Sequence, residues 1–362
     1  MAADRRVERQ AALRASIDEL GVDTLLVTHI PNIRYLTGFT GSAALLVIRR
    51  DATILITDFR YAAQAPVEAG SSASVEVDQK SVWERLGKVL ASNPPGALGI
   101  EGQALTVRDV QRVSGLTRAR VVTTSDLVER LRTIKSPEEV AAIHAAAELA
   151  QDALAEILPG VRPGRAEREI AAELEGALRR RGSEWHPFPT IVASGPRSAL
   201  PHARTSERVL AAGEWLLLDF GAQLDGYCAD LTRTVVVGAR ADEKQRVVYG
   251  LVQAAQERAL TGIRAGMTGR EADALAREVI VGRGFGESFG HSLGHGLGLE
   301  VHEAPRLAPT AETPLPAGAV VTVEPGVYLQ GWGGVRLEDD VHLAVGGPVR
   351  LSDGKTELLE LL

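Results

Sequence analysis

Five side chains in the C-terminal half of this 362-residue chain have the types and spacing of a hydrolytic metal centre: Asp219, Asp230, His295, Glu324 and Glu338. They are four carboxylates and one imidazole. Each sits in a segment flanked by glycine or turn residues: Asp219-Phe-Gly-Ala, Ala-Asp230-Leu-Thr-Arg-Thr, Gly-His295-Gly-Leu-Gly, Val-Glu324-Pro-Gly and Arg-Leu-Glu338-Asp. Asp219 and Asp230 are eleven residues apart, and Glu324 and Glu338 fourteen. Hard oxygen donors with a single nitrogen suit divalent manganese, cobalt or zinc better than a thiolate-seeking ion. Four carboxylates around one ion would leave excess negative charge. Two adjacent cations, with some carboxylates bridging them, would neutralise it, which is the layout of a two-metal hydrolase.

Taken singly, each segment has an ordinary reading. Asp-Phe-Gly ends many strands, Gly-His-Gly-Leu-Gly reads equally as a flexible loop, and Glu-Pro-Gly as a turn. Asp225 is a ligand by residue type, but beside Gly226 it reads as a turn residue. A hairpin around Leu224-Asp225-Gly226, joining strand-like runs at 215–220 and 227–237, would set Asp219 and Asp230 side by side on one sheet face.

The elements that must position these residues begin at Ser136-Pro137-Glu138-Glu139. Ser136 is an N-cap, Pro137 takes the first helical position and Glu139 completes a capping box. The domain boundary is placed just before it, giving an amino-terminal domain over residues 1–130 and a catalytic domain over 131–362. Within the second domain Ala153-Leu154, Ile157, Gly160 and Gly164 are echoed by Ala259-Leu260, Ile263, Gly266 and Gly269. Both copies enter charged amphipathic helices, expected over 166–180 and 271–283. Two such halves folded face to face would gather their strand ends around one site.

The first 130 residues alternate helical and strand patterns. A helix is expected over 5–20, short β-rich runs at 23–28, 43–48 and 52–57, and a helix over 81–91 stopped by Asn93-Pro94-Pro95-Gly96. Strand edges at 99–101 and 120–123 flank a helix from about Val107. This is an α/β domain with a mixed sheet. The segment Ile33-Arg34-Tyr35-Leu36-Thr37-Gly38-Phe39 reads as a turn. Gly38 and Gly41 do not make a phosphate-binding loop, since no Gly-Lys-Ser/Thr follows.

Bulk properties exclude several classes. A net charge of −7 speaks against a general nucleic-acid binder. A hydrophobic content of 45% is that of an ordinary soluble protein. Cys228 is the only cysteine, so no intrachain disulfide forms, and it reads as a small buried filler. The start of the chain mixes Arg5, Arg6 and Arg9 with Asp4 and Glu8, without a signal-peptide core, and no run approaches the ~20 apolar residues of a membrane span. The expected location is cytoplasmic.

The five segments, in this order, resemble residue by residue the signature of the pita-bread metallopeptidases, the family of methionine aminopeptidase, prolidase and aminopeptidase P. The resemblance runs from about Ser136 to the C-terminus. A weaker one, carried by Tyr35-Leu36-Thr37-Gly38-Phe39, links the first 130 residues to the creatinase-like amino-terminal α/β domain of the Xaa-Pro-specific branch. It implies a pseudo-twofold catalytic domain, two divalent ions with manganese foremost, and a homodimer paired through the amino-terminal domain. By the family pattern Asp219 would chelate one ion, Asp230 and Glu338 would bridge both, and His295 and Glu324 would bind the other. The glycines around His295 would let the backbone approach the ions. Asp339 reads as a support behind the ligands, and so does His291.

In that branch histidines at the positions of His202 and His302 line the substrate site and hold the scissile carbonyl. The resemblance therefore implies both as catalytic and substrate-binding residues. Glu324 would carry a proton to the leaving imino nitrogen. Arg306 matches the neighbourhood of a carboxylate clamp for dipeptides, and Arg336 would bind substrate or orient a carboxylate near the ions. His29, His144, His186 and His342 belong to no motif. The implied substrates are peptides with proline in second position, whose nitrogen has no N–H to donate and whose ring fixes φ. The expected activity is Xaa-Pro aminopeptidase, because no extra segment obviously closes the site around a dipeptide. The alternatives are an Xaa-Pro dipeptidase (prolidase) and a non-enzymatic binding protein on the same fold. Methionine aminopeptidase is disfavoured by the amino-terminal domain, and a creatinase-type amidinohydrolase by the intact ligand set.

Overall fold

The structure, a computed structural model, describes residues 5–352 and 356–362, so Asp4 of the charged N-terminal run lies outside the described residues. The chain divides into two compact units, Met1–Arg132 and Thr133–Leu362.

The first unit is built on a six-stranded sheet with Ser74–Asp78 at one edge, followed in order by Thr53–Asp58, Ala44–Arg49, Thr24–Val27, Ala97–Glu101 and Arg120–Thr124. The sheet is mixed, since Thr24–Val27 runs antiparallel to Ala44–Arg49 and parallel to Ala97–Glu101. These three strands are buried at every residue, which is why they read as unbroken apolar runs and do not alternate. The helices Arg5–Glu19, Val82–Ser92 and Val107–Leu116 fall where the periodicity places them. The expected turn at 33–39 is instead part of a helix, Ile30–Thr37, that buries Ile33, Tyr35 and Leu36 and stops at Gly38. Pro31 lies in its first turn, where a missing N–H costs nothing. The two residues that look like breakers therefore bracket this helix and do not interrupt it.

The second unit has two halves of the same plan. Helices Pro137–Ile157 and Glu167–Arg180 precede a sheet ordered Leu359–Leu361, Leu231–Val237, Glu214–Phe220, Ile191–Ser194. Helices Glu243–Gly262 and Gly269–Val281 precede a second sheet ordered Glu303–Leu307, Gly294–Gly296, Val320–Val323, Asp339–Ala344, Gly347–Arg350. Capping boxes open the first helix of the unit (Ser136 with Glu139) and the last (Thr268 with Glu271). Each half closes on its own core. One gathers Leu174, Leu178, Leu216, Leu218 and Phe220, the other Val252, Ile280, Val321, Val323 and Val341. The two sheets meet where Thr232 bridges to Glu338, placing the strand ends of both halves around one point.

Candidate active site

Each candidate ligand stands at or beside a strand end. In the antiparallel pair Glu214–Phe220 and Leu231–Val237, Asp219 faces Thr232 and Phe220 faces Leu231, so Asp230 directly precedes the paired run. The chain returns between them through Asp225 and Gly226, both at positive φ (49° and 78°), as a two-residue hairpin turn requires. Glu338 reaches the same place from the other sheet, its backbone N–H donating to Thr232 O at 3.1 Å. Glu324 follows directly on Val320–Val323, and His295 is the middle residue of Gly294–Gly296.

The glycines around His295 act differently from the expectation. A Cβ on Gly294 would lie 2.0 Å from Thr322 O, and one on Gly296 2.1 Å from Ala304 O. They are needed so that this short strand fits between its two neighbours, and the fit holds His295 at the strand junction.

One ligand atom each from Asp230, His295 and Glu338 lie within 4.8 Å of one another. His295 Nε2 is 3.5 Å from Glu324 Oε1 and 3.8 Å from Asp230 Oδ2. Its Nδ1 is 3.0 Å from Gly296 O, which can only accept, so Nδ1 carries the proton and the Nε2 lone pair faces the carboxylates. Burial, then the neighbouring charges of His302 and Arg306, lowers His295 to about 4, so the ring is a neutral donor. The carboxylates move the other way. Burial raises Asp230 and Glu324 well above the usual range and Glu338 to about 8, and the mutual repulsion of these acids adds to it.

This arrangement fits divalent cations. Four acids, Asp219, Asp230, Glu324 and Glu338, are packed where burial penalises the charge of each, and Asp219 Oδ1 is a buried oxygen without a hydrogen-bond partner among the described residues. A cation would relieve both penalties at once.

The supports around the candidate ligands are dense. Thr232 Oγ1 donates to Glu338 Oε2 at 2.6 Å. Buried Arg336 donates through Nη2 to Asp219, through Nη1 to Tyr328 Oη (2.9 Å) and Pro201 O (3.2 Å), and through Nε to Thr232 Oγ1 (3.0 Å). His291 is held between Ser292 O and Tyr328 Oη at 2.8 and 2.9 Å. Asp339 accepts from Arg233, Gln256 and Ser352, and Arg233 also donates to Glu338 O at 2.6 Å, fixing the backbone under that ligand. Asp340 Oδ2 accepts from Asp230 N at 3.2 Å. Cys228 is buried, as a filler would be.

The expected substrate residues converge on the same place. The His302 ring lies 4.3 Å, centroid to centroid, from that of His295. Burial raises Asp219 above the usual carboxylate range; Arg336 opposes this, and His202 and His302 stand near enough that a charge on either would oppose it too. Arg306, an exposed residue, faces His295 directly across the strand pair. Other histidines lie elsewhere: His144 is bonded to Leu351 O at 2.8 Å, and His186 stacks on Trp185. Sequence reasoning missed Thr232, Tyr328 and Thr322, whose hydroxyl accepts from His295 N at 3.1 Å and donates to Glu324 at 3.4 Å. Thr232 and Thr322 each lie two residues from a candidate ligand, on the same strand face, and that period-two spacing was the available signal.

Residues 141–344 match the model of Metallopeptidase family M24, and residues 9–134 match the Creatinase/Prolidase N-terminal domain. The chain is similar to the Xaa-Pro dipeptidase of Pyrococcus furiosus, with 36% identity over 97% of this chain and 99% of that protein. Its structure is similar to that of an Xaa-Pro dipeptidase from Bacillus anthracis, with TM-score 0.95 and 42% identity over 98% of this chain and 100% of that one. It is also similar to an X-Pro aminopeptidase from Thermotoga maritima, with TM-score 0.88 and 38% identity over 95% and 99% of the two chains. The creatinase-type α/β unit and the two-half, pita-bread unit seen here are thus those of a recognised enzyme family, and this chain belongs to metallopeptidase family M24.

Proposed function

We propose that the protein is an Xaa-Pro dipeptidase that uses two divalent ions held by Asp219, Asp230, His295, Glu324 and Glu338. The observation that carries the choice of dipeptide is Arg306, exposed and directly across the strand pair from His295. Its charge acts on both His295 and His302, which puts a cation beside the candidate reaction centre, and a guanidinium offers the bidentate geometry that a carboxylate takes best. The dipeptidases of Bacillus anthracis and Pyrococcus furiosus support this reading over the aminopeptidase expectation, which the Thermotoga relative keeps as the second reading.

Bound divalent cations would supply a nucleophile at neutral pH and polarise the scissile carbonyl. Manganese is the first candidate for the oxygen-rich donor set, with cobalt and zinc behind it. Asp219 is oriented by Arg336, and Glu338 by Thr232, so that each presents its other oxygen to the site. His302 and His202 hold the carbonyl oxygen as charge develops on it. Burial, then His202 and Arg306, pushes the His302 imidazole down, so it acts as a neutral donor. Glu324 takes a proton from the attacking water and passes it to the proline nitrogen, which cannot leave as an anion. Arg306 binds the free carboxylate of the dipeptide.

The test compares Xaa-Pro with Xaa-Pro-Yaa hydrolysis under added manganese, cobalt and zinc, together with the metal content of the chain. About two ions per chain and a preference for dipeptides are expected. Preference for tripeptides returns the protein to the aminopeptidase reading, and a chain that binds no metal and cuts neither is a binding protein.

A further inference from the structure

His202 is carried on the segment between Ser194 and Ser206, and both ends of that segment are tied to one side chain. Glu167 is fully buried at the first turn of the helix Glu167–Arg180. Its Oε1 accepts from Ser194 N at 2.7 Å and Ser194 Oγ at 2.8 Å, and its Oε2 from Ser206 N at 3.0 Å and Ser206 Oγ at 2.6 Å. Arg197 Nε, within the segment, lies 3.3 and 3.2 Å from the two oxygens. Four hydrogen bonds from the two ends and an ion pair from the middle therefore converge on one carboxylate.

The far side of the segment is held as well. Gly334 N donates to Ser198 Oγ at 2.8 Å, Gln330 Nε2 to Ala199 O at 3.2 Å, and Arg336 Nη1 to Pro201 O at 3.2 Å. The last of these donors is the residue that orients Asp219. His202 itself is exposed, and its ring makes no hydrogen bond among the described residues. The reach of the imidazole is set by its backbone, and that backbone is held by these ties.

Desolvating a carboxylate costs several kcal/mol, and an apolar residue would fill this position without that cost. What an apolar residue could not do is receive donors from both ends of a loop thirteen residues long. We infer that Glu167 is a positioning residue for His202, closing the Ser194–Ser206 segment so that the imidazole faces the scissile carbonyl. The inference rests on the proposed role of His202, and it makes the activity depend on a group that touches neither substrate nor metal.

The experiment is a double-mutant cycle on the metal-loaded full chain. His202→Ala, Glu167→Gln and the double variant are assayed for kcat, KM and metal content on an Xaa-Pro dipeptide. Gln keeps the shape but turns an N–H₂ toward donors that need an acceptor. Glu167→Gln is expected to keep its metal and lose roughly 10- to 100-fold in kcat, the scale of a misplaced catalytic group. In the His202→Ala background the same change should cost less than about 3-fold, because the group it places is gone. Equal losses in both backgrounds, or loss of metal, overturn the inference while leaving the role of His202 intact. A His202→Ala enzyme with near-normal kcat overturns the underlying role, and the inference with it. If Glu167→Gln does not fold, Ser206→Ala removes one tie and is read in the same cycle, where equal losses in both backgrounds again overturn the inference.

Discussion

Thr232 Oγ1 stands 2.6 Å from Glu338 Oε2, at the one bridge that joins the sheets of the two halves among the described residues. The hydroxyl fixes which oxygen of Glu338 remains free for a cation. Thr232→Val removes the donor at nearly constant volume and should weaken metal binding by about 10- to 100-fold, as loss of a partner behind a ligand does. Excess manganese should restore much of the activity, and Thr232→Ser should retain it. Unchanged metal affinity in the valine variant contradicts the arrangement.

Removing a proposed bridging ligand should be harsher. Asp230→Ala or Glu338→Ala should abolish metal retention and turnover together, measured by metal analysis of the dialysed protein and by dipeptide hydrolysis. Two tightly held ions and normal rates in either variant would remove that residue from the ligand set.

The metal-free acids carry a pH signature. Glu338 lies at about 8 against an ordinary 4.5, so it stabilises the folded metal-free chain below its unfolded value and loses that contribution as pH rises toward 8. A cation has to displace the protons held there. Metal uptake near neutral pH should release protons, read by calorimetry in buffers of different ionisation enthalpy, and should weaken as pH falls. Uptake with no proton release would mean the acids are already ionised.

On the proposed reading Arg306 sets substrate length. Arg306→Ala should raise the barrier for Xaa-Pro dipeptides by roughly 2–5 kcal/mol, the cost of truncating one partner of a charge-assisted pair, and affect Xaa-Pro-Yaa tripeptides far less. Equal effects on kcat/KM for the two substrate lengths would rule out a carboxylate clamp.

Away from the centre, Arg208 contacts Glu214 at 2.5 and 2.8 Å. Although burial opposes it, the hydrogen bonds and charge of Arg208 hold Glu214 below its ordinary value. A depressed carboxyl stabilises the fold above its unfolded value and loses that as pH falls through the folded one. Glu214→Gln should cost about 1 kcal/mol near neutral pH for a partly exposed pair. Denaturant midpoints of the variant and parent should converge in acid, and a gap that persists there would show a packing effect.

The sequence by itself pointed to the candidate ligands, the capped start of the second unit, the helices Arg5–Glu19, Val82–Ser92 and Val107–Leu116 of the first, and its sheet strands other than the edge strand Ser74–Asp78. These rest on local chemistry: a carboxylate beside a turn, a Ser-x-x-Glu box, an unbroken apolar run. It could not show Ile30–Thr37 as a helix, because eight residues bracketed by Pro31 and Gly38 give too short a period to read. Nor could it show why Gly294 and Gly296 are glycines, since the atoms that exclude a Cβ belong to Thr322 and Ala304. The supporting residues were hidden for the same reason. Glu167 is one more acid at a helix start until the fold brings Ser194 and Ser206 to it, 27 and 39 residues away along the chain. Arg336 and Asp219 are 117 residues apart, and only the meeting of the two halves makes them a pair. Ligand types are written locally, whereas their orientation depends on hydrogen bonds between distant segments, and those exist only once the backbone has closed.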